Sequence, residues 1–271
     1  MHIVVDSTCD MTPEEARSLK VSIMFLKVFF GQEGYRDKVD LSGEAFFEKL
    51  KSSDQMPTTT MVTPEAFREE FERHPNEEIL VITVSQKLSG TCQSAWVAKA
   101  ESGRQDIYVL DSGTATIGHL ILARVAVRLR DTGKSAREIC LTLERIKARL
   151  RIYAVIDTLK YLVKGGRLSG AAGALGTILS LKPIITVMDG EVHSIDKARG
   201  SRAAIRKLSQ LVAQEAIDRS LPSAYAHAGD LETLAELSRA LGIEAPASWL
   251  GSVVGAHAGP GAVAVAYFVK A

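Results

Sequence analysis

The chain of 271 residues carries 33 Lys and Arg against 32 Asp and Glu, and 46% of it is hydrophobic. A balanced charge leaves no global field to attract nucleic acid or an anionic membrane, so any anion has to be recognised locally. The apolar share is ample for one large or two modest cores. The opening Met1-His2-Ile3-Val4-Val5-Asp6 puts an acid where a signal peptide needs an apolar run. No stretch approaches the roughly eighteen apolar residues of a membrane span, so the expectation is a cytoplasmic protein with no integral membrane segment. Cys9, Cys92 and Cys140 lack the paired spacing of zinc or redox sites and read as packing residues.

The first half alternates strand and helix. Residues 3–5 read as a short strand, Asp6-Ser7-Thr8-Cys9-Asp10 as a polar turn, and Thr12-Pro13-Glu14-Glu15 as a helix start with Pro just inside it. Residues 21–30 suit one strand or two, 31–40 a polar turn, and 41–50 a capped amphipathic helix, with a further helix starting at Thr63-Pro64. The β-branched run 79–84 predicts a buried parallel strand that empties into the hydroxyl-rich loop Ser85-Gln86-Lys87-Leu88-Ser89-Gly90-Thr91 ahead of a helix. In open α/β sheets ligands sit at such carboxyl ends, where helix N–H groups favour anions. The plainer reading of the loop is a helix start capped by Ser89 or Thr91. Residues 107–110 form another strand, leading into Asp111-Ser112-Gly113-Thr114.

The second half changes character. A helix over 136–150 precedes a strand at 152–155 and a short helix stopped by Gly165-Gly166. A small-residue helix is expected over 169–181, then a strand at 183–188, an Asp189-Gly190 hairpin turn and a return strand over 191–195. Residues 201–218 read as a helix, 224–228 as a strand, 231–241 as a helix and 262–269 as a closing strand. The predicted fold class is α/β with two domains: an N-terminal parallel-sheet domain over 1–150 and a C-terminal mixed α+β domain over 151–271, with ligand between them.

Catalytic readings are poorly served. Ser89 and Thr91 have no carboxylate, histidine or cysteine in their own loop to activate them, and no Gly-x-Ser-x-Gly elbow occurs. Gly133-Lys134-Ser135 resembles the tail of a phosphate loop, yet Arg128 stands where that loop needs a glycine, so the segment reads as a turn between helices. His257, ahead of Gly259-Pro260-Gly261, is expected on a rigid turn, able to bond a ligand oxygen or to serve structure alone. Arg199 and Arg202, followed by Arg206 at helical spacing, form a basic face beside the hairpin or a plain solvated surface. Arg167 reads as structural.

Asp6-Ser7-Thr8-Cys9-Asp10, Leu88-Ser89-Gly90-Thr91, Tyr161 through Ser169, Lys182-Pro183-Ile184, Asp189-Gly190 and His257-Ala258-Gly259-Pro260-Gly261 occur in an order that resembles the DegV family of bacterial lipid-binding proteins, and they span nearly the whole chain. The resemblance implies a long-chain fatty acid held between two α/β domains, with no cofactor and no metal. It further implies a partner, the catalytic subunit of a fatty acid kinase, to which the carboxylate is presented for acyl phosphate used in phospholipid synthesis. By the same resemblance Thr59 and Ser89 grip the carboxylate, with Thr60 and Gly90 beside them. His257 lies by the head group and takes part in kinase engagement, and Arg199 and Arg202 dock the partner or contact phosphate.

The chain departs from the family pattern in places. Thr59-Thr60-Met61-Val62-Thr63 stands where Thr-Ser-Gln-Pro-Ser is usual, Ala258 where Thr is frequent, and Cys92 where an aromatic is common. Physical chemistry agrees with a lipid: a buried methylene contributes about 0.8 kcal/mol, so a chain of about sixteen carbons offers on the order of 12 kcal/mol before the costs of association. The small residues of 170–176 suit close packing beside a tunnel or an ordinary tight helix contact. The rival reading is the substrate-binding subunit of a phosphotransferase similar to dihydroxyacetone kinases, whose histidine holds substrate covalently. A third is a ligand-responsive interaction protein without an enzymatic partner.

Overall fold

Strand β1 (His2–Asp6) runs into a 3-10 turn, and helix α1 (Pro13–Leu19) follows in the order the sequence predicts. Thr12 Oγ1 accepts the amide of Glu15 at 3.1 Å, Pro13 occupies the first helical position, and Lys20 closes the helix in the left-handed region. The computed structural model describes residues 1–168 and 180–271.

The expected one or two strands resolve into β2 (Val21–Met24) and β3 (Lys27–Phe30). The predicted polar turn over 31–40 is corrected: it contains β4 (Glu33–Arg36), which pairs with β3 and sets Tyr35 opposite Val28. With Tyr35 as its one large apolar side chain, this strand has no alternation to betray it, and its pairing partner decides it. Helix α2 (Gly43–Ser52) is capped by Ser42, and β5 (Thr58–Thr60), which sequence reasoning missed, joins the other edge of β3. Helix α3 (Pro64–Arg73), β6 (Ile79–Thr83), α4 (Thr91–Ser102) and β7 (Ile107–Asp111) complete the first half's alternation. A parallel four-stranded sheet in the order β2-β1-β6-β7 results, with β4-β3-β5 as a separate antiparallel sheet.

Helix α5 (Thr116–Asp131) has no side-chain cap and is buried almost without interruption from Thr116 to Val127. Such a helix shows no polar face and so no amphipathic period. It packs against β1 and β6 on one side and against the second sheet on the other, joining the two into one core. Gly133, at φ +84°, turns the chain into α6 (Ala136–Ile146), where Ser135 and Glu138 form a capping box. The helix expected over 136–150 therefore ends early, and Leu150 already belongs to β8 (Leu150–Val155).

Helix α7 (Lys160–Lys164) is stopped by the glycine pair as predicted. The small-residue helix expected over 169–181 lies outside the described residues except at its end, where Leu181 opens a strand instead. That strand, β9 (Leu181–Met188), turns at Asp189-Gly190 into β10 (Glu191–Arg199), longer than the return strand predicted, so Arg199 ends a strand. Helix α8 (Ser201–Val212) stops before the expected residue 218, because the following segment crosses to the C-terminal end of β13, where the Asp218 amide bonds the Phe268 carbonyl. Strand β11 (Ala224–His227), α9 (Leu231–Leu241), β12 (Ala247–Trp249), α10 (Ser252–Ala258) and β13 (Val263–Phe268) finish the chain. The second sheet is mixed, in the order β10-β9-β8-β13-β11-β12, with β11 and β12 parallel.

Among the described residues no helix is long and apolar enough to cross a membrane. Cys9 and Cys92 are buried and Cys140 half-buried. Burial pushes the Cys9 thiol up to about 12, as expected for packing residues.

Candidate functional site

A cavity of about 460 Å³ lies between the carboxyl ends of the parallel strands and the inner face of the mixed sheet. That volume is within the range of small-molecule sites. Its walls are aliphatic, supplied by Ile152 and Ile156 of β8 and the following loop, Ile185 of β9, Val192 of β10, Leu26, and Val253 of α10. Ala154, Ala262 and Ala264 keep the facing strands free of bulk.

Thr59, Ser89, Arg167 and His257 cluster into a polar end, while Thr8, Thr116 and Thr186 also line the cavity. Thr59, the middle residue of β5, turns its hydroxyl inward, and its Oγ1 lies 3.1 Å from His257 Nε2. Thr60 and Gly90 also line the cavity. The loop after β6 places Ser89 ahead of α4, with its Oγ 3.0 Å from Thr91 Oγ1 and accepting the Thr91 amide at 3.3 Å. Gly90 is the N-cap of α4, which has no side-chain cap, correcting the plain reading of Ser89 or Thr91 as the capping residue. The positive end of α4 thus follows directly on the lining residues Ser89 and Gly90, with its first amide held by Ser89 Oγ.

His257 does not sit on a rigid turn. It occupies the last turn of α10, a helix packed against α2, α7, β3 and β5 that sequence reasoning missed, since Gly255 and Ala256 dilute its pattern. Gly255 is there for room: a Cβ would lie 2.7 Å from both Phe46 and Phe47. Gly165 makes similar room for the imidazole, because a Cβ at that position would stand 2.2 Å from His257 Nδ1. Burial, with Arg167 adding to it, pushes the His257 pKa down to about 4, so the ring is neutral near pH 7. Placing its proton on Nδ1 would bury a donor with no partner; on Nε2 it is donated to Thr59, whose own hydroxyl proton then turns into the cavity.

Arg167 is the site residue that the sequence reading undervalued. Its Nε donates to the carbonyl of Leu88 at 3.1 Å and its Nη1 to that of Gly165 at 2.5 Å, so it does serve structure. It also lines the cavity and brings a fixed positive charge to the polar end. Only its place after a glycine stop hinted at this. Arg199, Arg202 and Arg206 are exposed, and none is among the described residues lining the cavity. Arg199 ends β10, away from the hairpin tip that docks on the loop after β6 through Gly190 and Ser85.

Below the polar end a buried network braces the site. Asp6 accepts the amides of Thr8 and Val84, at 3.0 and 2.7 Å. Asp10 accepts the Gly251 amide and the Lys38 ammonium, each at 2.9 Å, and the Thr116 hydroxyl. Asp37 takes the amide of Ser252 at 2.7 Å and so fixes the start of α10. Asp10, Lys38 and Thr116 all have positive φ, backbone states that this bonding offsets.

A two-lobed α/β protein with a largely aliphatic cavity and a cluster of polar side chains on its lining is the class these features define. A profile of the family described as "Uncharacterised protein, DegV family" matches residues 1–270. The chain is 32% identical over 277 positions to the DegV domain-containing protein of Halalkalibacterium halodurans, covering 99% of this chain and 98% of that one. A fatty-acid-binding DegV-family protein from Thermus thermophilus has a TM-score of 0.90 at 28% identity, with 99% of each chain covered. DegV of Bacillus subtilis, a fatty acid binding protein, has a TM-score of 0.84 at 28% identity, again with 99% of each chain covered. The chain belongs to the DegV family.

Proposed function

We propose that the protein binds a long-chain fatty acid, the alkyl chain in the aliphatic cavity and the carboxylate at Thr59, Ser89 and His257, and that it presents this carboxylate to a partner kinase. The cavity carries the proposal: aliphatic walls take a tail that supplies affinity, while the hydroxyls at one end need only orient the head group. Arg167 and the α4 amides favour the anion, and the neutral His257 passes its hydrogen bond through Thr59. Family members of the same architecture bind fatty acids, which supports the reading. No metal or cofactor is called on.

In the partnered reaction a carboxylate oxygen attacks the γ-phosphorus of ATP held by the kinase, the bond to ADP breaks, and acyl phosphate leaves for phospholipid synthesis in the cytoplasm. The family resemblance supports this step, and exposed Arg199 and Arg202 are the partner-docking or phosphate-contacting candidates. The aliphatic walls favour this function over the substrate subunit of a triose phosphotransferase, whose ligand would want hydrogen bonds on every side.

Organic extraction of the purified protein followed by mass spectrometry tests the binding: a fatty acid at near one per chain is expected, and a triose or no lipid overturns it. Charge reversal at Arg199 and Arg202 should abolish acyl-phosphate formation with a fatty acid kinase and leave lipid content unchanged. Loss of both together counts against a docking role.

A further inference from the structure

At the amino end of the parallel sheet, opposite the cavity, three side chains unrelated to lipid binding converge. His2 opens β1, Glu70 lies in the last turn of α3, and His74 follows that helix. His2 Nε2 is 3.6 Å and His74 Nε2 3.5 Å from Glu70 Oε1. We propose that His2, Glu70 and His74 form a binding site for a divalent transition ion of the zinc type, the ion joining the start of β1 to the segment between α3 and β6.

The two separations from Glu70 Oε1, to His2 Nε2 and to His74 Nε2, fit. An ion held tetrahedrally by imidazole nitrogens at ~2.0–2.1 Å and a carboxylate oxygen at ~2.0–2.2 Å sets its donors about 3.3–3.5 Å apart. Glu70 is 4% exposed, and its Oε1 has no hydrogen-bond partner. The other oxygen, Oε2, is already taken by Arg73 Nη1 at 2.8 Å, which leaves Oε1 as the free donor atom.

His74 Nδ1 lies 3.0 Å from Glu77 Oε1, and donation there assigns the ring proton to Nδ1 and the lone pair to Nε2. A carboxylate behind a ligating imidazole orients it and raises its basicity. The His74 loop is held from the rear by Arg104, whose Nη1 donates to the carbonyls of Phe71 and His74, both at 3.0 Å. With that tautomer His74 Nε2 and Glu70 Oε1 face one another at 3.5 Å, and His2 and Ser22 approach the same carboxyl, so a cation would take the place of those polar contacts.

His2 and His74 stack with centroids 3.6 Å apart and planes 13° from parallel, and His2 Nε2 also meets Ser22 Oγ at 2.8 Å. Binding therefore splays the two rings and exchanges the serine bond for a metal bond. Two imidazoles and a carboxylate without thiolate suit Zn²⁺ or Co²⁺ over Ca²⁺ or Mg²⁺, and three protein ligands leave a fourth position for water.

The test uses the tag-free, full-length chain, stripped with a chelator and titrated with Zn²⁺ against a chromophoric competitor, and separately with Co²⁺ while visible absorption is recorded. One equivalent per chain, a rise in Tm with Zn²⁺ and a tetrahedral Co²⁺ spectrum are expected. His74→Gln should abolish all three, Glu77→Gln should weaken binding about 10–100-fold, and neither should alter lipid content or the circular dichroism spectrum. Sub-stoichiometric binding to the unaltered chain, as when a protonated imidazole already bridges to Glu70, overturns the site. So does full binding by a folded His2→Gln, His74→Gln double variant.

Discussion

Thr59 and His257 meet at 3.1 Å although 198 positions separate them in sequence. One comes from the edge of the small antiparallel sheet and the other from the last turn of α10, and the contact closes the polar end of the cavity.

Removing either head-group hydroxyl should release the ligand while sparing the fold. A hydrogen bond to a charged group contributes about 1.5–3 kcal/mol, so Thr59→Val and Ser89→Ala should each weaken fatty acid binding roughly 10–150-fold. Displacement of a fluorescent fatty acid measures this, and unchanged affinity in both variants removes these residues from the site.

Titration of His257 gives stability a pH dependence. Its ordinary value is near 6.5 and the folded one about 4, so between these the unfolded chain binds a proton that the folded chain does not. Stability from this group is present above about pH 6.5 and is lost as pH falls toward 4. Urea midpoints across that range should slope more steeply for the native chain than for His257→Gln; equal slopes exclude the assignment. Arg167→Gln, removing a nearby positive charge, should move the histidine titration upward by NMR but leave it below 6.5, since burial is the larger cause.

Gly165 and Gly166 should separate by mechanism. Alanine at Gly165 places a Cβ 2.2 Å from His257 Nδ1 and 3.0 Å from the Tyr161 carbonyl, costing about 1–3 kcal/mol and displacing the imidazole. Gly166 has φ +67° and open space around it, so its alanine variant costs about 1–2 kcal/mol of backbone strain alone. Fatty acid affinity should fall in the first and hold in the second.

Lys38→Met leaves Asp10 buried without its cation. Breaking one partner of a buried pair costs about 3–5 kcal/mol, and the loop between β12 and α10 should loosen with it, because Asp10 also holds the Gly251 amide. Urea unfolding of Lys38→Met and of the Lys38→Met, Asp10→Asn pair checks this: the double variant should recover part of the loss.

Elements written in adjacent residues were legible before the structure. The Thr12-Pro13 and Thr63-Pro64 helix starts, the buried strand β6, the Asp189-Gly190 turn and helix α9 all depend on side-chain caps, left-handed glycines or a short-range apolar period. The hydroxyl loop ahead of α4 was visible for the same reason, and with it Ser89 and Gly90. Helix α5 was legible only as the unbounded helix before the Gly133 turn, because a helix wrapped by two sheets is apolar on nearly every side and has no period to mark its extent. Strands β4, β5 and β12 were not, because short edge strands take their conformation from the neighbour they pair with.

Local chemistry along the chain therefore settled the alternation of strands and helices, the turn types and the presence of a hydroxyl-rich anion loop. The family resemblance had already grouped Thr59, Ser89 and His257; tertiary structure alone decided that Arg167 lines the same cavity, that His257 belongs to a helix, and that His2 stacks on His74. Caps and turns are bonds between near neighbours and leave a signature in a few consecutive residues. A cavity mouth is assembled from segments that meet only after the sheets have packed, and no window of sequence contains that meeting.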